Sequence, residues 1–377
     1  MKSKKGLQKI KVIIVGSFPR KNQKSQYGGM FTSCKVLLNS SFAEKFNIIP
    51  FNSTSFSAPI PNLLQRSFYA FIRLIKFIYK LIKKNPQIII IFVAETPSAI
   101  EKGLMILISK LFQKKIMVFP RAGKLINKYY EKTLIKKYIN FTFSRADIFL
   151  SQGVSFQKFA TRELKFPEKL APIIPNWTAN QEHITIGSFK DYMINISTTK
   201  ILFLGYLEDY KGVNETLEAA LKLKKKNYNF HLSFAGDGAL KNYAINFVNK
   251  HNLKENISFL GWVDETRKIK LLKEYNIFLL PSWNEGFPNA LIEAMSAGLA
   301  CIVSSVGNIP DFLTNGHNCI LIKPKSPVDI FKAIERLLKD KEFLRKISEN
   351  GHLYAYSNFT ADNGLKLLTE EIEKLSY

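Results

Sequence analysis

Residues 281–299 read PSWNEGFPNALIEAMSAGL. NEGFPNA is turn chemistry and ALIEAMSAG holds strong helix formers up to Gly298, so a helix is expected to begin near Pro288 or Asn289. Its first N–H groups have no partner within the helix, and with the helix dipole they make an anion site suited to a diphosphate. Two carboxylates eight positions apart bracket that start: Glu285 lies before it and Glu293 one turn in. At ~1.5 Å rise per residue, Glu293 sits roughly 6 Å along the axis, so the pair can reach opposite sides of a bound diphosphate. One can accept hydrogen bonds from sugar hydroxyls, the other from a ribose diol. Taken singly, a glutamate near a helix start is better explained by the dipole than by a function.

Outward from this stretch, apolar runs alternate with helical patterns, the mark of parallel α/β layers. KVIIVGSF (11–18), NIIPF (47–51), QIIIIFV (87–93), KIMVFP (115–120) and ADIFLSQG (146–153) read as buried strands of a first sheet, with APIIPNW (171–177) as a candidate sixth. The polar, poorly patterned stretch from Thr178 to Thr199 reads as a linker. A second series follows: ILFLG (201–205), FHLSFAG (230–236), ISFLG (257–261), IFLLPS (277–282), LACIVSS (299–305) and NCILIKP (318–324). Ligands of such sheets bind beyond the carboxyl ends of the strands, here in the cleft expected between two domains. The expected boundaries are 1–190, 196–355 and a C-terminal helix at 356–377 packing back toward the first domain.

The string PSxxEGFPNALIEAMSxG, continued by GLACIVSSVGNIPDFLTNGHNCILI, closely resembles the signature of retaining GT-B glycosyltransferases of family 4, with Glu285 and Glu293 on its paired-glutamate motif. ILFLGYLEDYKGVNETLEAA (201–220), FAGDGAL (234–240) and ISFLGWV (257–263) follow the family's order; the resemblance is specific over 200–325 and looser upstream. It implies an α/β fold of two Rossmann-like doubly wound domains. It also implies a donor site drawing on Gly28, Gly29, Gly205, Lys211, Gly236, Trp262, Val263, Glu285, Gly286, Phe287, Asn289, Ala290, Leu291 and Glu293. Gly28 and Gly29 follow the first strand, after PRKNQKSQ and Tyr27, where the family holds the donor phosphates and sugar. GYLEDYKG matches the family's G-R-L-x-x-x-K-G at Lys211 and Gly212, but Tyr206 stands where an arginine is usual. Where the family commonly has a histidine after the fourth strand, this chain has Arg121 in FPRAGK. Glu285, Lys211 and Arg121 are the expected catalytic residues, Arg121 either beside developing negative charge or on an acceptor phosphate. Trp262 falls where the family holds the nucleobase and reads equally as a core aromatic.

No Asp-x-Asp follows a strand and the five histidines are scattered, so a metal-free site without cofactor is expected. Cys34, Cys301 and Cys319 match no metal-ligand spacing and read as buried thiols in a reducing cytosol. The start, MKSKKGLQKI, is basic and runs into a strand with no small-residue cleavage site, so no secretory leader is expected.

Charge divides the chain. Residues 1–188 hold 31 Lys and Arg against 8 Asp and Glu, and the remainder 24 against 22, within a total of +25. A biased genome alone would not leave the second half nearly neutral, so an anionic partner for the first half is expected. In 63–84, LLQRSFYAFIRLIKFIYKLIKK, the apolar Leu64, Phe68, Phe71, Ile72, Ile75, Ile78, Tyr79 and Ile82 alternate with Arg66, Arg73, Lys76, Lys80, Lys83 and Lys84. Charges at every turn rule out a span; the segment reads either as a helix lying on an anionic membrane or as a sheet-covering helix with a solvated basic face. No RNA-binding, zinc-finger or helix-turn-helix motif points to nucleic acid.

These readings converge on retaining transfer of a sugar from a nucleoside diphosphate donor, UDP-linked by expectation, to a lipid-linked or other saccharide acceptor. The expected place is the cytoplasmic face of the membrane, in capsule, O-antigen or related cell-surface polysaccharide assembly. A soluble acceptor, a glycoside hydrolase using Glu285 and Glu293, and a non-enzymatic basic binder of membrane or nucleic acid are the competing readings.

Overall fold

The computed structural model describes residues 9–18, 28–53, 62–94, 96–121, 124–190 and 198–376. The expected loop at 19–27, with Tyr27, and Ala122 and Gly123 lie outside them. The chain forms two compact units, Met1–Trp177 with Ala361–Tyr377, and Thr178–Thr360.

In the first unit, β1 (Lys11–Gly16), β2 (Asn47–Asn52), β3 (Ile88–Val93), β4 (Lys115–Pro120) and β5 (Ile148–Phe149) form a parallel sheet in the order β2-β1-β3-β4-β5. Both faces are covered, which is why the strands are continuous apolar runs: Val12 and Ile14 join one core, Ile13 and Val15 the other. The helix Ala361–Ser376 closes one face with Leu365, Leu368 and Ile372, beside the fully buried Trp177. The sixth strand expected at 171–177 is a single bridge, Ile173 to Ser151, and the strand expected at 146–153 pairs with β4 only at Ile148 and Phe149. Pro172 and Pro175 bring no N–H to a ladder, which limits pairing there.

The helix Leu63–Lys84 starts on an Asn62–Gln65 capping box. Phe77 and Leu81 face the core, while Leu64, Phe68, Phe71, Ile75, Tyr79 and Ile82, at helical spacing, form an exposed apolar row. The basic row is smaller than the sequence suggests. Arg73 makes a bidentate pair with Glu101 at 2.8 Å through both Nε and Nη2, and Lys80 donates to the Pro50 carbonyl at 2.7 Å. Lys76, Lys83 and Lys84 remain exposed.

In the second unit, β6 (Thr199–Leu204), β7 (Phe230–Ala235), β8 (Ile257–Gly261), β9 (Ile277–Leu280), β10 (Ala300–Ser304) and β11 (Ile320–Ile322) form a parallel sheet in the order β11-β10-β9-β6-β7-β8. This is the doubly wound order with its reversal between β6 and β9, where ligands of such sheets bind. The stretch read as a linker instead contains the helix Gln181–Ser188, capped by the Asn180 side chain, with His183, Ile184 and Gly187 buried. It belongs to the second unit, so the boundary falls at Trp177 rather than near residue 190. Counted by these units, the first has 33 Lys and Arg against 11 Asp and Glu, the second 22 against 19, so the charge asymmetry survives the shifted boundary.

Candidate active site

The reversal point brings together the loops after β6 and β9. After β6 the chain passes Gly205 and Tyr206 into a short 3-10 turn, Asp209–Lys211, and Gly212 opens the helix Val213–Lys225. Gly212 has φ +76, and a Cβ there would lie 2.4 Å from the Pro281 carbonyl oxygen, so only glycine lets the two loops approach this closely. The Trp283 N–H donates to the Tyr210 carbonyl at 2.7 Å and its indole N–H to Glu215 Oε1 at 3.0 Å. Clamped in this way, the loops set Lys211 Nζ 2.5 Å from Glu285 Oε1, with the two side chains only 15% and 12% exposed. From the turn after β10, the Asn308 N–H donates to the Gly286 carbonyl at 2.9 Å and backs the same loop. Phe287 turns its side chain into the core against Phe312 and Phe359.

The expected helix runs Asn289–Ser296. Pro288 at its N-cap makes no side-chain cap hydrogen bond and the first turn holds no acidic residue. Leu291, Ile292, Ala294 and Met295 anchor the helix in the core. Glu293, 3% exposed, pairs through Oε2 with Lys268 Nζ at 2.9 Å. Lys268, on the helix Glu265–Glu274, also lies 3.2 Å from Glu265. Burial alone would lower the Lys268 ammonium, but the two carboxylates outweigh it and hold it above its ordinary value. Lys268 carries no motif in the sequence; its position three residues after Glu265 at a helix start is the signal that would have found it.

Around these groups, Tyr206 and Trp262 stand edge to face at 4.9 Å between ring centroids, both more than 40% exposed, so Trp262 is not the core aromatic that its sequence context also allowed. Val263 is buried. Gly236 lies against Gly205, whose carbonyl oxygen would be 1.8 Å from a Cβ at 236, so this pair of glycines serves close passage of the β6 and β7 loops.

In the first unit, Gly28 precedes the helix Gly29–Leu38. Arg121 ends the run from β4. Its guanidinium carbon lies 4.8 Å from the ring centroids of Phe119 and Trp177 and 5.5 Å from that of Phe92, and Nη2 donates to Ser33 Oγ at 2.8 Å. Trp177 donates from its indole to the Ser33 carbonyl at 3.0 Å, so both residues tie this helix to the sheet. Nη1 is buried and has no hydrogen-bond partner among the described residues. Burial pulls the Arg121 guanidinium down to about 10, still a cation at neutral pH. Ser33 and Trp177 left no trace as site residues in the sequence, because their pairing joins positions far apart in the chain.

Residues 188–353 match the family Glycosyl transferases group 1. Over 163 residues the chain is 31% identical to an uncharacterized glycosyltransferase of Methanocaldococcus jannaschii, covering 43% of this chain and 42% of that protein. Over 173 residues it is 31% identical to the UDP-Gal:alpha-D-GlcNAc-diphosphoundecaprenol alpha-1,3-galactosyltransferase of Escherichia coli, covering 44% and 42%. In five such curated relatives the matching stretch spans 34% to 42% of their own length. Among solved structures, the sucrose-phosphate synthase of Thermosynechococcus elongatus has a TM-score of 0.76 at 15% identity, over 97% of this chain and 99% of that one. Residues 188–353 therefore carry a glycosyl transferases group 1 domain, in a chain whose two parallel-sheet units have the GT-B fold.

Proposed function

We propose that the protein is a hexosyltransferase of the retaining family 4 type that moves a sugar from UDP to a lipid-linked saccharide. The observation that carries this reading is the Lys211–Glu285 pair at the reversal point of the second sheet, in the loop that leads into the start of the Asn289 helix. Such a helix start receives a diphosphate, and Lys211 adds a cation where the leaving group gains charge. An ammonium has three N–H donors, so Lys211 can keep Glu285 and still contact a phosphate oxygen. Glu285, held by Lys211, faces the sugar, and Glu293 accepts the ribose diol. As the bond from the anomeric carbon to the diphosphate breaks and the acceptor oxygen bonds to that carbon on the same face, the protein positions charge rather than supplying a nucleophile. Lys211 and the helix amides supply the positive potential, so the reading requires no metal ion. In the first unit, Arg121 is the candidate cation for an acceptor phosphate, with Nη1 unpaired among the described residues. Against hydrolysis, both carboxylates face lysine ammoniums, whereas a glycosidase acid must present a proton.

Support for UDP and for a lipid-linked acceptor comes from the name of the Escherichia coli relative. No helix among the described residues is long and apolar enough to cross a membrane. A peripheral attachment fits the first unit, whose helix Leu63–Lys84 shows an exposed apolar row beside Lys76, Lys83 and Lys84. The test is nucleotide release from a panel of UDP- and GDP-sugars, with and without polyisoprenyl-diphosphate saccharides, in EDTA. UDP release from one donor, stimulated by the lipid acceptor, is expected; no release from any donor would refute the activity, and loss in EDTA restored by magnesium would refute the metal-free site.

A further inference from the structure

We infer that Lys268 is a positioning residue that fixes Glu293 as the receptor for the two ribose hydroxyls of the donor; this rests on the reading of Glu293 given above. Glu293 is 3% exposed and sits one turn into the Asn289 helix, where the backbone amides are already paired within the helix and cannot hold its carboxylate. A carboxylate in such surroundings is costly unless an opposite charge meets it. Lys268 is that charge, 2.9 Å from Glu293 Oε2 and itself 9% exposed. Its other carboxylate, Glu265, lies 3.2 Å away and is 44% exposed, so the row Glu293–Lys268–Glu265 runs from the buried helix out to solvent. Behind it, the buried His183 sets Nε2 4.0 Å from Glu265. The ammonium is thereby held between two carboxylates, with a buried imidazole on one side. Such a lysine cannot swing to follow Glu293, so Glu293 Oε2 is pinned and the carboxylate plane has one orientation in which to meet a vicinal diol. A diol needs two correctly spaced acceptor directions at once, which a freely rotating carboxylate offers for only part of the time.

Pinning has a signature that mere stabilisation of the fold lacks. Calorimetric titration in EDTA with UDP and with 2′-deoxy-UDP measures how strongly the enzyme distinguishes the diol. The wild type is expected to bind UDP on the order of 10-fold to 100-fold more tightly than 2′-deoxy-UDP. Lys268→Met is expected to lose most of that ratio, with the donor KM raised by a similar factor and kcat within about threefold. Lys268→Arg, which keeps the charge, is expected to recover part of the ratio, and its melting temperature shows whether the methionine variant suffers from its fold alone. A Lys268→Met protein that weakens UDP and 2′-deoxy-UDP equally, or that binds UDP as the wild type does, overturns the inference. If Glu293→Ala itself leaves the ratio unchanged, the fault lies with the ribose role of Glu293 and the inference falls with it. If Glu293→Ala abolishes the ratio while Lys268→Met preserves it, only the inference about Lys268 fails.

Discussion

Replacing Lys211 by Ala removes the ammonium that faces Glu285 at 2.5 Å. A pair on the open surface would contribute ~0–1 kcal/mol, but these side chains are 15% and 12% exposed, so screening does not reduce them to that level. Two effects follow and can be measured apart. In the resting protein Glu285 loses its counter-ion; breaking a fully buried pair costs ~3–5 kcal/mol, and partial access of water here brings the loss in folding stability to about 1–2 kcal/mol. In the reaction, the leaving diphosphate loses a charge-assisted contact worth ~2–4 kcal/mol in the transition state. At 1.36 kcal/mol per tenfold, that lowers kcat/KM by roughly 30-fold to 1,000-fold. Initial rates of UDP release against donor concentration give the second effect and thermal melting gives the first. The double variant with Glu285→Gln separates them further: removing the orphaned charge should restore stability without restoring rate. A Lys211→Ala enzyme that melts near the wild type and keeps kcat/KM within about threefold would refute the reasoning.

Gly212→Ala places a Cβ 2.4 Å from the Pro281 oxygen at φ +76, so it should part the loops of Lys211 and Glu285; a fall in kcat/KM larger than the fall in melting temperature explains is expected, and unchanged kinetics would contradict the clamp. The His183 imidazole is pushed down to about 4 by burial and by Lys268, partly opposed by Glu265. Because the unfolded chain then binds the extra proton between about 6.5 and 4, stability should be complete above 6.5 and fall by about 3 kcal/mol as pH drops through that window. Denaturant melts of His183→Phe should show a shallower dependence there, and an identical profile would refute the assignment. For the first unit, each exposed lysine beside an anionic leaflet is worth roughly 1 kcal/mol, so binding to anionic vesicles should weaken at high salt and on replacing Lys76, Lys83 and Lys84 by Gln. Arg73→Gln and Lys80→Gln should instead lower the melting temperature, since Glu101 and the Pro50 carbonyl hold these side chains; equal sedimentation with neutral and anionic vesicles would exclude electrostatic docking.

The buried strands were legible because both faces of each sheet are covered, which turns a strand into an uninterrupted apolar run such as Ile88–Val93. The helix start at Asn289 was legible for a local reason: proline and turn residues precede a run of helix formers. What escaped depends on distant partners. The helix Gln181–Ser188 has little apolar periodicity, and what seats it is Gly187, where a Cβ would lie 2.2 Å from the His352 ring and 2.3 Å from the Ser296 carbonyl. Arg73 and Lys80 look like free surface charges along their own helix, and only the tertiary fold brings Glu101 and Pro50 to them. The pairing of Lys268 with Glu293 could not be read for the same reason, since Glu293 stands 25 residues away in another element. Arg121 was found by its place after the fourth strand, but the cage of Phe92, Phe119 and Trp177 around it could not be read from that place.

Every role proposed for these residues depends on where the donor diphosphate sits, and a crystal structure with UDP, grown in EDTA, locates it. Phosphate oxygens are expected within hydrogen-bonding reach of the amides at Asn289–Leu291 and of Lys211 Nζ, with the ribose hydroxyls on Glu293 Oε1 and Oε2. UDP bound away from the Asn289 helix, or at it with Lys211 and Glu293 untouched, would contradict this placement.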